Sequence, residues 1–261
     1  MKKVLAKICS LAVIALLFTT STVNAQAKQT NDELTNTVIS KKVFKEEKDL
    51  HKLFDKAAKG ISDVPMKDAN KSIIKNLNTS EQVPLNTLKT VQLIESENYK
   101  DGKVKNSYAL TYFADVNEKN LTGESDESFS TMGSGNYEET PDWDKTGGVR
   151  AYGTIYYFTE NYSGEINRWK ITRAKGGWNS YDSTIAMSNR SLEALEYGYQ
   201  SNMVIPLQYN DTTNLSTNTY DIYYGFNYIY ENGDKMLATK SKVTLSKAGS
   251  SWTFEFDCEL P

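Results

Sequence analysis

From about Thr87 onward the chain is made of short runs of Tyr, Thr, Ile, Val, Phe and Trp separated by Gly, Asn and Asp. β-Branched and aromatic side chains pack well on a pleated surface, and the small polar residues between them turn the chain. This pattern restricts the segment to an all-β domain. The clearest run is Tyr220 to Glu231. Tyr220, Ile222, Tyr224, Phe226, Tyr228 and Tyr230 fall on one side, and Asp221, Tyr223, Gly225, Asn227, Ile229 and Glu231 on the other. A period of two with one richer apolar side marks an antiparallel strand buried on one face. Tyr152, Thr154, Tyr156 and Phe158 repeat the theme more loosely, and Trp252, Phe254, Phe256 and Cys258 share a face near the end.

Strands are expected near 89–97, 103–115, 149–160, 164–174, 181–189, 202–209, 219–231, 235–246 and 251–258. Tyr99 to Gly102 and Lys247 to Ser250 read as hairpin turns. Asn232-Gly233, two residues that tolerate positive φ, is expected to fold the 219–231 strand back on 235–246. The fold class is mainly β: an antiparallel β-sandwich or barrel-like domain with a short N-terminal helical extension.

That extension rests on Val43, Glu47, Leu50, Phe54 and Ala57, with Leu53 alongside, at spacings of three and four. The spacing predicts a helix over 40–58, with Ser40 near its cap and Gly60 ending it. Ile73, Ile74 and Leu77 predict a second, thinner helix over 67–77. Residues 28–40 have no periodicity and read as disordered. The expected organisation is a signal peptide at 1–25, a disordered lead and helical extension at 26–87, and an antiparallel β domain at 88–261. Between Asn117 and Gly148 lies a long acidic, Gly/Ser-rich insert, a length that is uncommon in compact domains.

The first 25 residues imply export. Lys2, Lys3 and Lys7 precede an apolar run from Ile8 to Phe18, and small residues close it at Ala25 or Ala27. A basic start, a short apolar middle and small residues form a secretory signal peptide. Its removal takes three lysines, leaving 30 − 3 = 27 basic residues against 33 acidic ones, a net charge of −6. A net-negative chain is a poor partner for nucleic acid, and no membrane insertion is expected after cleavage. Cys9 leaves with the signal, so the mature chain keeps Cys258 alone and forms no internal disulfide. Secreted eukaryotic domains are usually cross-linked, so a bacterial exporter and a secreted, extracellular location are expected. Cys258, in phase with Phe254 and Phe256, reads as a buried, inert thiol.

The single histidine, His51, removes the common mechanisms. A Ser-His-Asp or Cys-His centre needs an imidazole beside its nucleophile, and a zinc protease needs more than one. His51 sits among lysines on the expected helix and reads as a solvated residue. Carboxylates remain: Glu138, Glu139, Asp142 and Asp144 surround Trp143, with Glu124, Asp126 and Glu127 nearby. Paired carboxylates with aromatic walls are the equipment of a glycosidase. The same stretch places Asp142, Asp144 and Thr146 at alternate positions before Gly147, as in the start of a calcium loop. Glycine stands at the twelfth position, Gly153, where a bidentate Glu belongs. Asp142 and Asp144 are therefore candidate Ca²⁺ ligands in an irregular loop only.

Exposed aromatics carry the other reading. Trp143, Trp178, Tyr181 and Tyr223 fall in loops, near turns or off the expected core face, and flat rings suit sugars or peptides. The expectation is a secreted, non-enzymatic binding protein with no catalytic residues, recognising a glycan, cell-wall polymer or protein. The alternatives are a carboxylate-dependent polysaccharide hydrolase and a matrix protein acting by self-association.

Overall fold

The computed structural model describes residues 37–65, 72–117, 120–121, 148–162, 168–200, 203–204, 208–230 and 235–260. The strands are β1 (Val38–Val43), β2 (Ser72–Asn76), β3 (Gln82–Leu85), β4 (Thr87–Tyr99), β5 (Val104–Val116), β6 (Val149–Asn161), β7 (Arg168–Ser180) and β8 (Ala186–Tyr197). They continue as β9 (Tyr199–Gln200), β10 (Met203–Val204), β11 (Gln208–Thr213), β12 (Thr219–Tyr223), β13 (Ile229–Tyr230), β14 (Met236–Lys247) and β15 (Ser250–Glu259). A helix, α1, spans Leu50–Ala58. These strands form two antiparallel sheets. The larger, of nine strands, runs β1-β4-β5-β6-β7-β13-β9-β10 with β12 also paired to β7; the smaller, of six, runs β11-β8-β14-β15-β2-β3. The mainly β, antiparallel sandwich-like architecture expected from the sequence is the one observed.

The two sheets enclose one core. Leu110, Tyr112, Ile155, Tyr157, Ile171 and Trp178 from the large sheet meet Ile74, Leu192, Val243, Leu245, Phe254 and Phe256 from the small one. Cys258 lies in this core as a free thiol, as its phase predicts. Two hairpin turns form where expected, with Gly102 at φ +84° after β4, and Ala248 at +50° and Gly249 at +84° between β14 and β15.

Other expectations fail for identifiable reasons. The helix begins at Leu50, not near Ser40, because Asp49 caps it: its Oδ1 accepts from the His51 and Lys52 backbone N–H groups at 2.9 and 3.3 Å. Val43 belongs to β1, paired with Glu95 on β4. Gly60, at φ +65°, does follow the helix end, and its N–H donates to the Ala57 carbonyl. In the segment expected as a second helix, residues 72–76 are strand β2, held between β15 and β3. Ile73 and Ile74 are β-branched neighbours with no clear period, and pairing decides such a segment.

The strand pairing expected across Asn232-Gly233 is also not found among the described residues. β12 and β13 pair with β7 in the large sheet, whereas β14 pairs with β8 and β15 in the small one. Alternation reports which face is buried; it does not name the partner strand. Asn232 and Gly233 themselves lie outside the described residues.

Candidate functional site

Residues directly opposed across an antiparallel ladder share a face, so the register of the large sheet sorts its side chains. Arg150, Tyr152, Thr154, Tyr156 and Phe158 of β6 point away from the sandwich core, as do Thr111 and Phe113 of β5. Opposite them on β7 stand Gly177, Lys175 and Arg173, and beyond those on β12 stand Thr219, Asp221 and Tyr223. This outer face is the one α1 lies on.

The helix covers one end of it. Leu53, Phe54 and Ala57 recur on one side of α1 and pack with Phe113, Leu50, Leu88 and Tyr152. Phe54 meets Phe113 edge-on, with ring centres 5.3 Å apart. Phe54 also covers the fully buried Arg150, whose guanidinium forks onto Asp115. A buried charge is tolerable only when paired in this way.

The segment between β1 and α1 forms the wall of a cleft. Gln92 of β4 does the work of a missing strand: its Oε1 accepts from the Glu47 N–H at 2.8 Å and its Nε2 donates to the Glu47 carbonyl at 3.1 Å. The Tyr156 hydroxyl donates to Glu46 Oε1 at 2.8 Å, a contact between residues 110 positions apart. The resulting cleft, about 230 Å³, is lined by Glu46, Gln92, Thr111, Tyr152, Thr154, Tyr156 and Lys175, among others. The Thr111 and Thr154 hydroxyls are 3.0 Å apart within that lining.

Its carboxylates are already engaged. Glu46 accepts from Tyr156, and Glu47 Oε1 accepts from the Lys48 and Asp49 N–H groups, both at 3.0 Å. The Asp49 N–H is the first reason the Glu47 carboxyl titrates below its usual range. Burial, then the bond to Glu46, raises the Tyr156 phenol. The cleft thus presents two glutamates on one wall, the Tyr152 and Tyr156 phenols, and the Lys175 side chain.

The face continues past the cleft onto β7 and β12. Arg173 donates to Asp221 Oδ1 at 2.6 Å and lies 5.0 Å from the Tyr156 ring centre and 4.8 Å from that of Tyr223. The bond from Arg173 lowers the Asp221 carboxyl. An arginine held by a carboxylate and flanked by two rings is a fixed stacking platform.

Two of the four aromatics expected to bind a ligand fall on this face. Tyr223 is 72 % exposed at its far margin, and Tyr181 is 38 % exposed at the helical end, 5.9 Å from the Arg150 guanidinium. Trp178 is not in a loop: it is on β7, 1 % exposed, and packs edge-on against Tyr220 at 5.7 Å. The reason is register. Trp178 opposes Ala151 on the core face, and Gly176 and Gly177 just before it let β6 and the chain entering β12 come close. A Cβ at Gly176 would stand 2.3 Å from the Tyr152 carbonyl oxygen, and one at Gly177 would stand 2.2 Å from that of Asn218. Trp143, Asp142 and Asp144 lie outside the described residues, as do Glu138 and Glu139. Among the described residues no group of three or more His, Cys, Asp or Glu side chains is arranged to hold a metal ion.

Sequence reasoning missed Tyr152, Tyr156, Lys175 and Arg173 as a set. The first two were in view as a loose alternation, but the partners that make a site of them come from β4, β7, β12 and the crossing segment. No protein-family model, curated protein or solved structure matches the chain.

Proposed function

We propose that this is an exported, non-catalytic binding protein that holds an extracellular glycan or cell-wall polymer against the outer face of the large sheet. The observation that supports the reading is the continuous row from Tyr152 through Thr154 and Tyr156 to Arg173 and Tyr223, with a cleft at one end. Sugar rings present flat apolar faces and hydroxyl edges. Tyrosine rings take the first, and Thr154, Lys175 and Asp221 offer donors and acceptors to the second. A hydrolase would need an acid and a base facing each other across the scissile bond. Glu46 and Glu47 are consecutive, stand on one wall, and already accept hydrogen bonds.

A glycan array probed with the purified protein and with Tyr223→Ala tests this. Binding that falls at least tenfold in the variant at unchanged melting temperature supports the reading. Equal binding by both proteins, or release of reducing ends from any bound glycan, overturns it.

A further inference from the structure

The outer face of β7 carries a charge pattern that the sequence hides. Residues 168–175 read Arg-Trp-Lys-Ile-Thr-Arg-Ala-Lys. Strict alternation would put Arg168 and Lys170 on one side and Arg173 and Lys175 on the other. The register shifts between Tyr156 and Tyr157 of β6, so that Tyr157 opposes Ile171 and Tyr156 opposes Arg173. Thr172 is the extra residue, and its hydroxyl donates to the Tyr156 carbonyl at 3.1 Å. A bulge re-aims every side chain after it. Arg168, Lys170, Arg173 and Lys175 therefore all face outward, opposite Glu160, Phe158, Tyr156 and Thr154. Lys105 of β5 joins them from two strands away, 4.2 Å from the Phe158 ring centre.

Two of these cations are matched. Glu160 takes Arg168 at 2.5 Å, and Asp221 takes Arg173. Lys105, Lys170 and Lys175 make no ion pair within 4 Å among the described residues, although Lys105 opposes Glu97 and Glu160 across its two ladders and Lys175 opposes Asp221. The whole chain has a formal net charge of −3, whereas the outer side of β7 alone gathers four cations. Aromatic rings alternate with the charges: Phe158 beside Lys105, Tyr228 5.6 Å from Lys170, and Tyr156 and Tyr223 around Arg173. At about 3.3 Å per residue, Lys170 and Lys175 are roughly 15 Å apart along the strand, room for a few sugar units.

We infer that the ligand of this face is an acidic polysaccharide, a polymer whose repeated carboxylate or phosphate groups meet Lys105, Lys170 and Lys175 while its rings stack on the interleaved aromatics. The inference deepens the binding reading above and rests on it. A neutral glycan would make no use of the four cations gathered on the outer side of β7. An extended chain can lie along the strand stripe and reach the cleft at its end.

The test measures binding of the full chain to polygalacturonate, to phosphorylated dextran, to neutral dextran of similar length, and to phosphatidylglycerol vesicles. It uses the parent protein, the triple variant Lys105→Gln/Lys170→Gln/Lys175→Gln, and a control triple at exposed lysines elsewhere, Lys42→Gln/Lys59→Gln/Lys100→Gln. The expected result is saturable binding to one or both acidic polymers that weakens as salt rises, because exposed charges are screened. The outer-face triple loses at least tenfold in affinity, the control triple less than twofold, and Tyr223→Ala also weakens binding. The carboxylate and phosphate arms identify which anion is preferred. Binding to dextran that is lost only with Tyr223→Ala overturns the anionic inference and leaves the aromatic binding face standing. Acidic-polymer binding lost in the lysine triple but untouched by Tyr223→Ala overturns the inference, since the rings then take no part in holding the polymer. Equal losses in both lysine triples, binding to the vesicles in place of the polymers, or binding to none of the four probes overturns the inference. Circular dichroism of each variant confirms that a loss is not unfolding.

Discussion

The guanidinium carbon of Arg150 stands 4.0 Å from the ring centre of Phe54, and the same group donates to both oxygens of Asp115, at 2.6 and 2.7 Å. One buried cation thus ties β5 to β6 and gives α1 a surface to sit on. The helix has nine residues, too few to persist in water alone, so it depends on this contact and on Phe113. Because α1 and the segment leading into it wall the cleft, the Arg150 arrangement positions the site without touching a ligand.

Removing the ring should release the helix. Phe54→Ala uncovers Arg150 and empties the small cluster with Leu53, Ala57 and Phe113. The expected cost is about 3 kcal/mol, the low end for a buried Phe, because the cluster lies at the margin of the fold. Asp115→Ala should cost at least as much by leaving a buried guanidinium without its carboxylate, on the order of 3 kcal/mol. Urea midpoints check both. A change below 1 kcal/mol in either would show that Arg150 is not the helix anchor.

A second prediction concerns pH. Glu196 of β8 is fully buried and accepts from the Ile171 N–H of the other sheet and from Gln208 Nε2. Burial pushes its carboxyl up to about 8, with the Ile171 N–H and nearby Lys170 opposing the shift. A carboxyl raised in the folded state holds a proton that the unfolded chain releases near its ordinary value, between about 4 and 5. Its stabilising contribution is complete below that value and is lost as pH rises through about 8. Unfolding free energy should therefore fall between pH 5 and pH 9 by up to a few kcal/mol more in the parent than in Glu196→Gln. Parallel pH profiles for the two proteins would show that Glu196 titrates normally.

The glycine pair before Trp178 gives a third. Gly177→Ala would place a Cβ 2.2 Å from the Asn218 carbonyl oxygen, which also accepts from the Trp178 N–H at 2.9 Å. Backbone cannot swing aside as a side chain can, so β12 must move. The expected cost is about 2 kcal/mol, typical of overpacking. Since β12 carries Asp221 and Tyr223, ligand binding should fall with it. An unchanged melting temperature would mean that β12 does not pack closely on β7.

Cys258 should be unreactive in the native protein. It is buried against the core, and burial raises its thiol well above the ordinary range. A thiol reagent at pH 8 should label it only after denaturation, at the rate of unfolding. Rapid stoichiometric labelling of the folded protein would place the thiol at the surface.

Much of the fold is legible in the sequence because period and turn chemistry are local. The β4–β5 and β14–β15 hairpins follow from Gly102 and from Ala248-Gly249 beside strong alternation. The burial of Cys258 follows from its phase. Partner choice is not local. Nothing in Tyr220 to Tyr230 says that it joins β7, and nothing in Ile73-Ile74 says that β15 lies beside it. The site is less legible still. Glu46 meets Tyr156 across 110 residues, and the bulge at Thr172 brings Arg173 and Lys175 to the side of Lys170 against the sequence alternation.

The last prediction separates two kinds of aromatic that the sequence alone treats alike. Trp178 and Tyr223 both suggest ligand contact from their surroundings in the chain, yet one is 1 % exposed and the other 72 %. Truncating a buried Trp removes packing on all sides, so Trp178→Ala should cost about 3–5 kcal/mol and leave affinity per folded molecule unchanged. Truncating a ring that lies mostly in water removes little burial, so Tyr223→Ala should change stability by less than about 0.5 kcal/mol. Tyr223 stands beside Arg173, which is also within reach of Tyr156, so its loss should break the stacking row at its open end. A tenfold loss of affinity corresponds to about 1.4 kcal/mol, within what one stacked ring contributes. Thermal melts and binding isotherms on the two variants should therefore show opposite patterns. If Trp178→Ala abolishes binding in protein that remains folded, the ligand enters the core side of the large sheet, and the outer-face site is wrong.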